Sequence, residues 1–504
     1  MSSKTHSVQF VGSHGVVIDI ECHVTNGLPN VVVVGMTNKS VDESRERLRA
    51  AFSSSKLPFP KKRVTINLAP ADIQKLGSSF DVAIAASLLQ AVDAIAIPAG
   101  TAFFGELGLD GKVRPVHGLI GKILAARDQG LSTMVIPADN LKQAQLVPHV
   151  QLLAVSSLKE LYLHFCGLGP LTAYDTRQGR YAAPTGLNIS ETDIAEVVGQ
   201  ERAKRALLIA AAGGHNLLLS GAPGMGKSML AKTLPGILPS LSHEEALQIT
   251  HLHSLGNHEL LDVVYERPFR APHHSASNTS IVGGGQMVRP GEITLASGGV
   301  LFLDELPEFN RSTIESLRQP LEDGVVSIAR ARETIQFPAS FMLVATRNPC
   351  PCGYYGSKHQ CTCSAAQIAQ YNKKISGPIE DRIDIHVTVD TVDHKNLLKT
   401  PTTANSAKLR KIVERVRTQQ SERYKLAGAL NAKVPTATIK KFASLEPAAE
   451  TLLNMAAAKL ELSPRVYMKT IKIARTIADI DQSAAITSAH ISEALQYRPI
   501  KTSL

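Results

Sequence analysis

The chain is poor in cysteine, with six in 504 residues. So few exclude a disulfide scaffold, and a reducing compartment would keep them as thiols. It has no apolar run long enough to span a bilayer. Its first ten residues, MSSKTHSVQF, lack the apolar core of a secretory signal. We therefore expect a soluble, cytoplasmic protein with no membrane partner. Internal repeats and low-complexity tracts are also missing, so a repeat architecture is not expected. What remains is ordinary globular composition: 44% hydrophobic, 19% charged, mean hydropathy near zero. The length suits about two to four domains.

The formal net charge is +10. From Pro401 to Leu504 there are 17 Lys and Arg against 8 Asp and Glu, so nearly all the excess lies in the last fifth of the chain. Two readings stay open, a solvated helical surface or a face for nucleic acid.

The segment to about Gly169 alternates short apolar runs with turn signals. VVIDIECHV, VVVVGM, RVTINLA and TMVIPA read as strands. VDESRERLRAAFSS, N-capped near Asp42, and SFDVAIAASLLQAV read as helices. This predicts an α/β domain over 1–169. The polar, Pro/Gly-rich stretch 170–190 reads as a linker. A second α/β region follows over 191–395, and a short polar linker over 396–406. Residues 407–504 are helical in pattern, with apolar residues at three-and-four spacing.

GAPGMGKS fits the P-loop pattern: Gly221, then Ala222, Pro223, Gly224 and Met225, then Gly226, Lys227 and Ser228. It follows the apolar run NLLLS and precedes the helix start MLAKTL, the context that motif needs. Glycines let backbone N–H groups curl into an anion nest at a helix N-terminus. Lys227 would neutralise the β- and γ-phosphates of ATP, and the Ser228 hydroxyl would ligate Mg²⁺. GGVLFLDELPEF reads as a buried strand ending in Asp304 and Glu305. Carboxylates at such a strand end can hold the Mg²⁺ shell (Asp304) and orient and deprotonate water (Glu305). SFMLVATRNP is a further strand ending near Asn348, whose amide suits the lytic water or the γ-phosphate; a lone Asn before Pro is otherwise a turn residue. Arg382 and Arg465 carry the planar fork that suits phosphate, although isolated arginines more often form surface ion pairs.

Taken together, GAPGMGKS, RPGEITLASGGVLFLDELPEF, ATRNPCPCG, SGPIEDRIDI and SPRVYMKTIKIARTIADID closely resemble the Mg-chelatase-like AAA+ family of bacteria, ComM/YifB type. The resemblance covers essentially the whole chain. It implies a multidomain α/β fold: a Lon-protease-like N-terminal domain, a doubly wound AAA+ core and an all-α C-terminal lid. It implies Lys227 and Ser228 in Walker A, Asp304 and Glu305 in Walker B, and Asn348 as sensor 1. Arg382 is then the arginine finger and Arg465 sensor 2, with a homo-hexameric ring supplying the finger in trans. Members also carry hairpins that face the ring pore. VVSIARARETIQF, around Arg330 and Arg332, and FRAPHHSASNTSIVGGGQMVRPGEI match them. They are candidate DNA contacts of low sequence specificity, or ordinary hairpin tips. The family reading is a DNA helicase driving branch migration in recombination during natural transformation. The alternatives are a chelatase-type ATPase and an ATP-dependent protein remodeller.

The stretch KRVTINLAPADIQKLGSSFDVAIAASLL, with the residues following it to about Pro137, resembles the proteolytic domain of Lon. Ser79 then falls at the nucleophile position and Lys122 at the base position, which admits a Ser-Lys peptidase. Against it, bulky Phe80 and charged Asp81 follow the serine where an oxyanion would form. The plainer reading is that Ser79 caps the next helix and Lys122 lies on a surface.

Four of the six cysteines lie in RNPCPCGYYGSKHQCTCS. Two C-x-C pairs, Cys350/Cys352 and Cys361/Cys363, can fold back to offer four thiolates to structural Zn²⁺, with His359 as a substitute ligand. The alternative is a thiol cluster without metal.

Overall fold

The computed structural model describes all residues except 1, 36–37, 74, 76–77, 93–94, 177–191, 257–262, 286–287, 330–333, 358, 391–404 and 500–504. The chain forms two compact units. The first comprises 1–185 with 242–264 and 330–335; the second comprises 186–241, 265–329 and 336–504.

The first unit is built on a mixed eight-stranded sheet. Its order is 173–175, 151–155, 133–137, 101–103, 2–11, 14–25, 63–69, 30–34. The pattern of alternation made these strands visible. Ile18, Ile20, Phe103 and Val135 enter one core, whereas Val8, Ala102, Phe104 and Met134 enter the core on the other face. The helices Asn38–Ser54 and Asp81–Ala91 cover the first of these faces. The former begins four residues before the cap expected near Asp42. Two other expectations change. Strand Ala173–Asp175 pairs antiparallel with 151–155, and Thr176 Oγ1 bonds both the N–H and the carbonyl of Val150. The sheet therefore extends into the stretch read as linker. Helix His243–Gly256, from the middle of the second region of sequence, belongs to the first unit. Its Leu247 joins the core of Ile120 and Ile123, and its His251 ring lies where a side chain at residue 121 would stand, which requires Gly121.

The second unit carries a five-stranded sheet, all parallel, in the order Phe269–Arg270, Val300–Leu303, Met342–Arg347, Leu217–Ser220, Ile385–Thr388. The central strands are apolar until their last residues because both faces are covered. Leu217, Leu219, Phe302 and Val344 point into one core; Leu218, Leu301, Leu303 and Leu343 point into the other. Strands ending side by side bring the residues that follow them together at one edge, where ligands bind in such sheets. The candidate hairpins are present as strand pairs, 283–284 with 289–290 and Val325–Ala329 with Thr334–Pro338. Arg330 and Arg332 lie outside the described residues.

The C-terminal part is helical as expected: Ser406–Tyr424, Thr436–Phe442, Pro447–Lys459, Pro464–Ile480 and Ser488–Leu495. Several of its arginines are spent on the fold. Arg417 donates twice to the Ala211 carbonyl, Arg415 to Ile480, and Arg410 to Gly236, each an acceptor at a helix C-terminus. Guanidinium groups there satisfy orphan carbonyls and suit the negative end of the helix dipole. Asp479, fully buried, is held by Arg475, Arg423 and Asn431.

Candidate active site

The loop between strand Leu217–Ser220 and helix Lys227–Lys232 forms the P-loop. Gly224 and Gly226 take φ of +77° and +81°, a left-handed conformation that glycine adopts without strain. No atom stands within 4 Å of where a side chain at either would lie, so the loop is uncovered on that side. Lys227 is only 8% exposed. Its ammonium donates to the carbonyls of Gly221 (2.7 Å) and Ala222 (2.9 Å) and to Asn348 Oδ1 (3.0 Å). Burial lowers its pKa, against the opposing pull of Asp304 and Glu305.

The two strands beside the P-loop strand's sensor edge complete the set. Ser228 Oγ donates to Asp304 Oδ2 at 2.9 Å. Thr346 Oγ1 donates to Asp304 Oδ1 at 2.5 Å and accepts the Glu305 N–H at 2.8 Å. Asn348 Nδ2 donates to Glu305 Oε1 at 3.3 Å. One continuous network thus joins Lys227, Asn348, Glu305, Thr346, Asp304 and Ser228. Glu305 has φ of +54°, a costly conformation for a non-glycine residue, and the Thr346 bond helps hold it there. Thr346 was missed in the sequence; as a hydroxyl in the otherwise apolar run MLVAT, it was the available signal.

These groups fit a magnesium nucleotide. A glycine loop leading into a helix N-terminus suits phosphate oxygens, and the bonds that Lys227 makes to its own loop are ones a phosphate would take over. The Ser228 hydroxyl and Asp304 carboxylate are hard oxygen donors, as Mg²⁺ requires. Bound Mg²⁺ would spread the charge of the β- and γ-phosphates.

Arg382 and Arg465 do not join this network. Arg382 is nearly buried, bonded to Glu322 and to the Pro378 carbonyl at 2.7 Å. Glu322 is held below the usual carboxylate range by that bond and by the charges of Arg465 and Arg318. Arg465 is exposed at the start of its helix. Glu322 is thus the partner of Arg382, which sequence reading did not find, and the Arg465 charge acts on the same carboxylate through space.

The four cysteines do come together. All four sulfurs lie within 4.8 Å of one another. Cys350 Sγ is 3.3 Å from Cys352 Sγ and 3.7 Å from Cys361 Sγ, and Cys352 and Cys361 are 3.5 Å apart. Tetrahedral zinc with Zn–S bonds of about 2.3 Å spaces its sulfurs about 3.8 Å apart. Backbone N–H groups point at the sulfurs, from Cys352 to Cys363, Cys363 to Cys361 and Tyr355 to Cys350. His359 is not in the cluster; it is exposed and packs edge-on against Tyr354.

In the first unit, no hydrogen bond joins Ser79 to Lys122 among the described residues. Ser79 does not cap the following helix, whose N-cap is Phe80 with no side-chain bond. Lys122 is buried rather than on the surface, and burial lowers its pKa to about 8. Asp81 is paired with Arg47 at 2.7 Å and accepts from Ser44 Oγ at 3.0 Å.

Comparison with known proteins agrees with this geometry. Residues 193–397 match the family described as magnesium chelatase, subunit ChlI; 20–140 match subunit ChlI of Mg-chelatase, and 403–498 its C-terminal part. The chain is 41% identical to the competence protein ComM of Haemophilus influenzae, over 97% of this chain and 96% of that one. It is 39% identical to YifB of Escherichia coli, over 99% and 97%. Part of it, 27%, is 30% identical to 17% of Lon protease 2 of Herpetosiphon aurantiacus. The sheet, the connected P-loop network and these full-length matches lead to one statement: the chain belongs to the Mg-chelatase-like family of AAA+ ATPases, ComM/YifB type.

Proposed function

We propose that the protein is an ATP-driven ring motor that moves along DNA, displacing strands or migrating branches during recombination. The observation that carries the ATPase part is the six-residue network from Lys227 to Ser228. Lys227 would leave its loop carbonyls for phosphate, Glu305 would take the proton of the attacking water, and Asn348 would hold both in register. In this reading Arg382, with its partner Glu322, and Arg465 face a neighbouring subunit's nucleotide, in a homo-hexamer. The DNA part is supported by the likeness to a competence protein and by two hairpins, one bearing Arg330 and Arg332.

The test is ATP hydrolysis with and without DNA, and unwinding of forked and three-stranded DNA with ATP or a non-hydrolysable analogue. We expect DNA-stimulated hydrolysis and unwinding, both lost in Lys227→Ala. An active ATPase indifferent to every DNA would overturn the DNA reading.

We also propose that the four cysteines hold structural zinc. Their spacing and the N–H donors to sulfur support it. Metal analysis finding no zinc would remove it.

A Ser79–Lys122 peptidase has one observation in its favour, the buried, low-pKa Lys122. ATP-dependent casein cleavage lost in Ser79→Ala would establish it.

A further inference from the structure

The four-cysteine segment helps line a cavity of about 450 Å³ beside the P-loop, with Tyr355, Gly356 and Ser357 on its wall together with Gly221, Ala222 and Met225. Neither Asp304 nor Glu305 lines it. Lys227 does not line it either, but Gly221, Ala222 and Met225 of the same loop do, so a nucleotide with its phosphates at Lys227 has room here for its sugar and base, and the volume is within the range of ligand pockets.

The cysteine segment is fixed to this place in two ways. A side chain at Gly353 would stand 2.6 Å from the Pro223 ring, so the segment lies directly on the P-loop. The Tyr355 N–H donates to the sulfur of Cys350 at 3.3 Å. A metal-bound thiolate strengthens such a bond, and outer hydrogen bonds of this kind orient what surrounds a metal. The Tyr355 side chain is 39% exposed, leaving part of its ring free. Aromatic rings of that kind stack on nucleobases.

We propose that zinc held by Cys350, Cys352, Cys361 and Cys363 positions Tyr355 against the nucleoside of bound ATP, so that nucleotide affinity depends on the metal. The proposal rests on the zinc and ATP readings above, and its test separates the three. Zinc content is measured on the purified full chain, and a fluorescent ATP analogue is titrated into the wild type, Cys361→Ser, Tyr355→Ala and Tyr355→Phe. We expect bound zinc in the wild type. Cys361→Ser should lose the metal and about tenfold in affinity. Tyr355→Ala should keep its zinc yet lose about tenfold as well, and Tyr355→Phe should recover the binding. Zinc-free wild type refutes the zinc reading, and analogue binding unchanged in Lys227→Ala refutes the ATP reading. Wild-type affinity in Tyr355→Ala overturns the proposal itself, whether or not Cys361→Ser folds.

Discussion

The surroundings of Lys227 and those of Ser79 were both nominated by motif, and the structure treats them differently. Around Lys227 the polar groups bond chiefly to one another, through contacts a phosphate or a metal ion can replace. Around Ser79 they are committed to holding the fold. Asp81 ties helix Asn38–Ser54 to helix Asp81–Ala91 through Arg47 and Ser44, and its second oxygen accepts the Leu107 N–H. Ser78 is bonded to Glu106. A reactive site needs polar groups that can exchange partners, and a shared motif does not guarantee them.

The largest effect that tests this contrast is on turnover. Glu305→Gln keeps the shape and the Asn348 contact but removes the base. We expect ATP hydrolysis to fall about 10²- to 10⁴-fold with thermal stability unchanged. Ser79→Ala, in contrast, should leave hydrolysis intact. If Glu305→Gln instead lowered the unfolding midpoint, its carboxylate would be structural, like that of Asp81.

The next effect runs the other way. Asp81→Asn leaves the partly exposed Arg47 guanidinium without its counter-charge, although burial already raises the Asp81 pKa against that pairing. Breaking one side of such a pair should cost about 1–2 kcal/mol, less than for a fully buried charge, so the first unit should unfold at lower temperature or denaturant. Stability equal to wild type by calorimetry would show that Asp81 is free for chemistry.

What was legible follows from the same physics. Strands buried on both faces read as continuous apolar runs, so LLLS, VLFL and MLVATR stood out, and with them the residues at their ends. The P-loop was legible because its glycines are demanded by backbone conformation. Thr346 was hidden because its role depends on a neighbouring strand 42 residues earlier in the chain, and no local pattern encodes that. Helix His243–Gly256 was not singled out in the sequence, and its attachment to the first unit depends on Gly121 and the His251 ring meeting in space. Strand Ala173–Asp175 was read as linker because it is short, polar and at a sheet edge. The paired cysteine spacing was informative, whereas His359 was only a neighbour in sequence.

A smaller effect concerns a carboxylate spent on the fold within the second unit. Burial raises the pKa of Asp384, but the Lys469 charge at 3.1 Å and the His215 ring nitrogen at 3.6 Å outweigh it and hold it well below the carboxylate range. A depressed folded-state pKa contributes stability above the unfolded value of about 3.9, and that contribution is lost as pH falls through the folded value. Urea midpoints should therefore drop below about pH 4 in wild type. Asp384→Asn should be weaker at neutral pH and lose less on acidification. An equal acid slope in both proteins would count against this assignment.

The smallest effect bears on the basic C-terminal region, where a surface for nucleic acid and a structural role were both open. Arg417 is committed to the Ala211 carbonyl at the end of helix Glu201–Gly213. Arg417→Ala should cost about 1 kcal/mol of stability, the net worth of a typical hydrogen bond. If its charge serves only that helix end, DNA affinity and its dependence on salt should be those of wild type. A charge that met a phosphate would release a counterion on binding, and its removal would lower the slope of log affinity against log salt by about one. That slope separates the two uses of one arginine more sharply than affinity does, because destabilisation alone weakens binding without changing how many counterions are released.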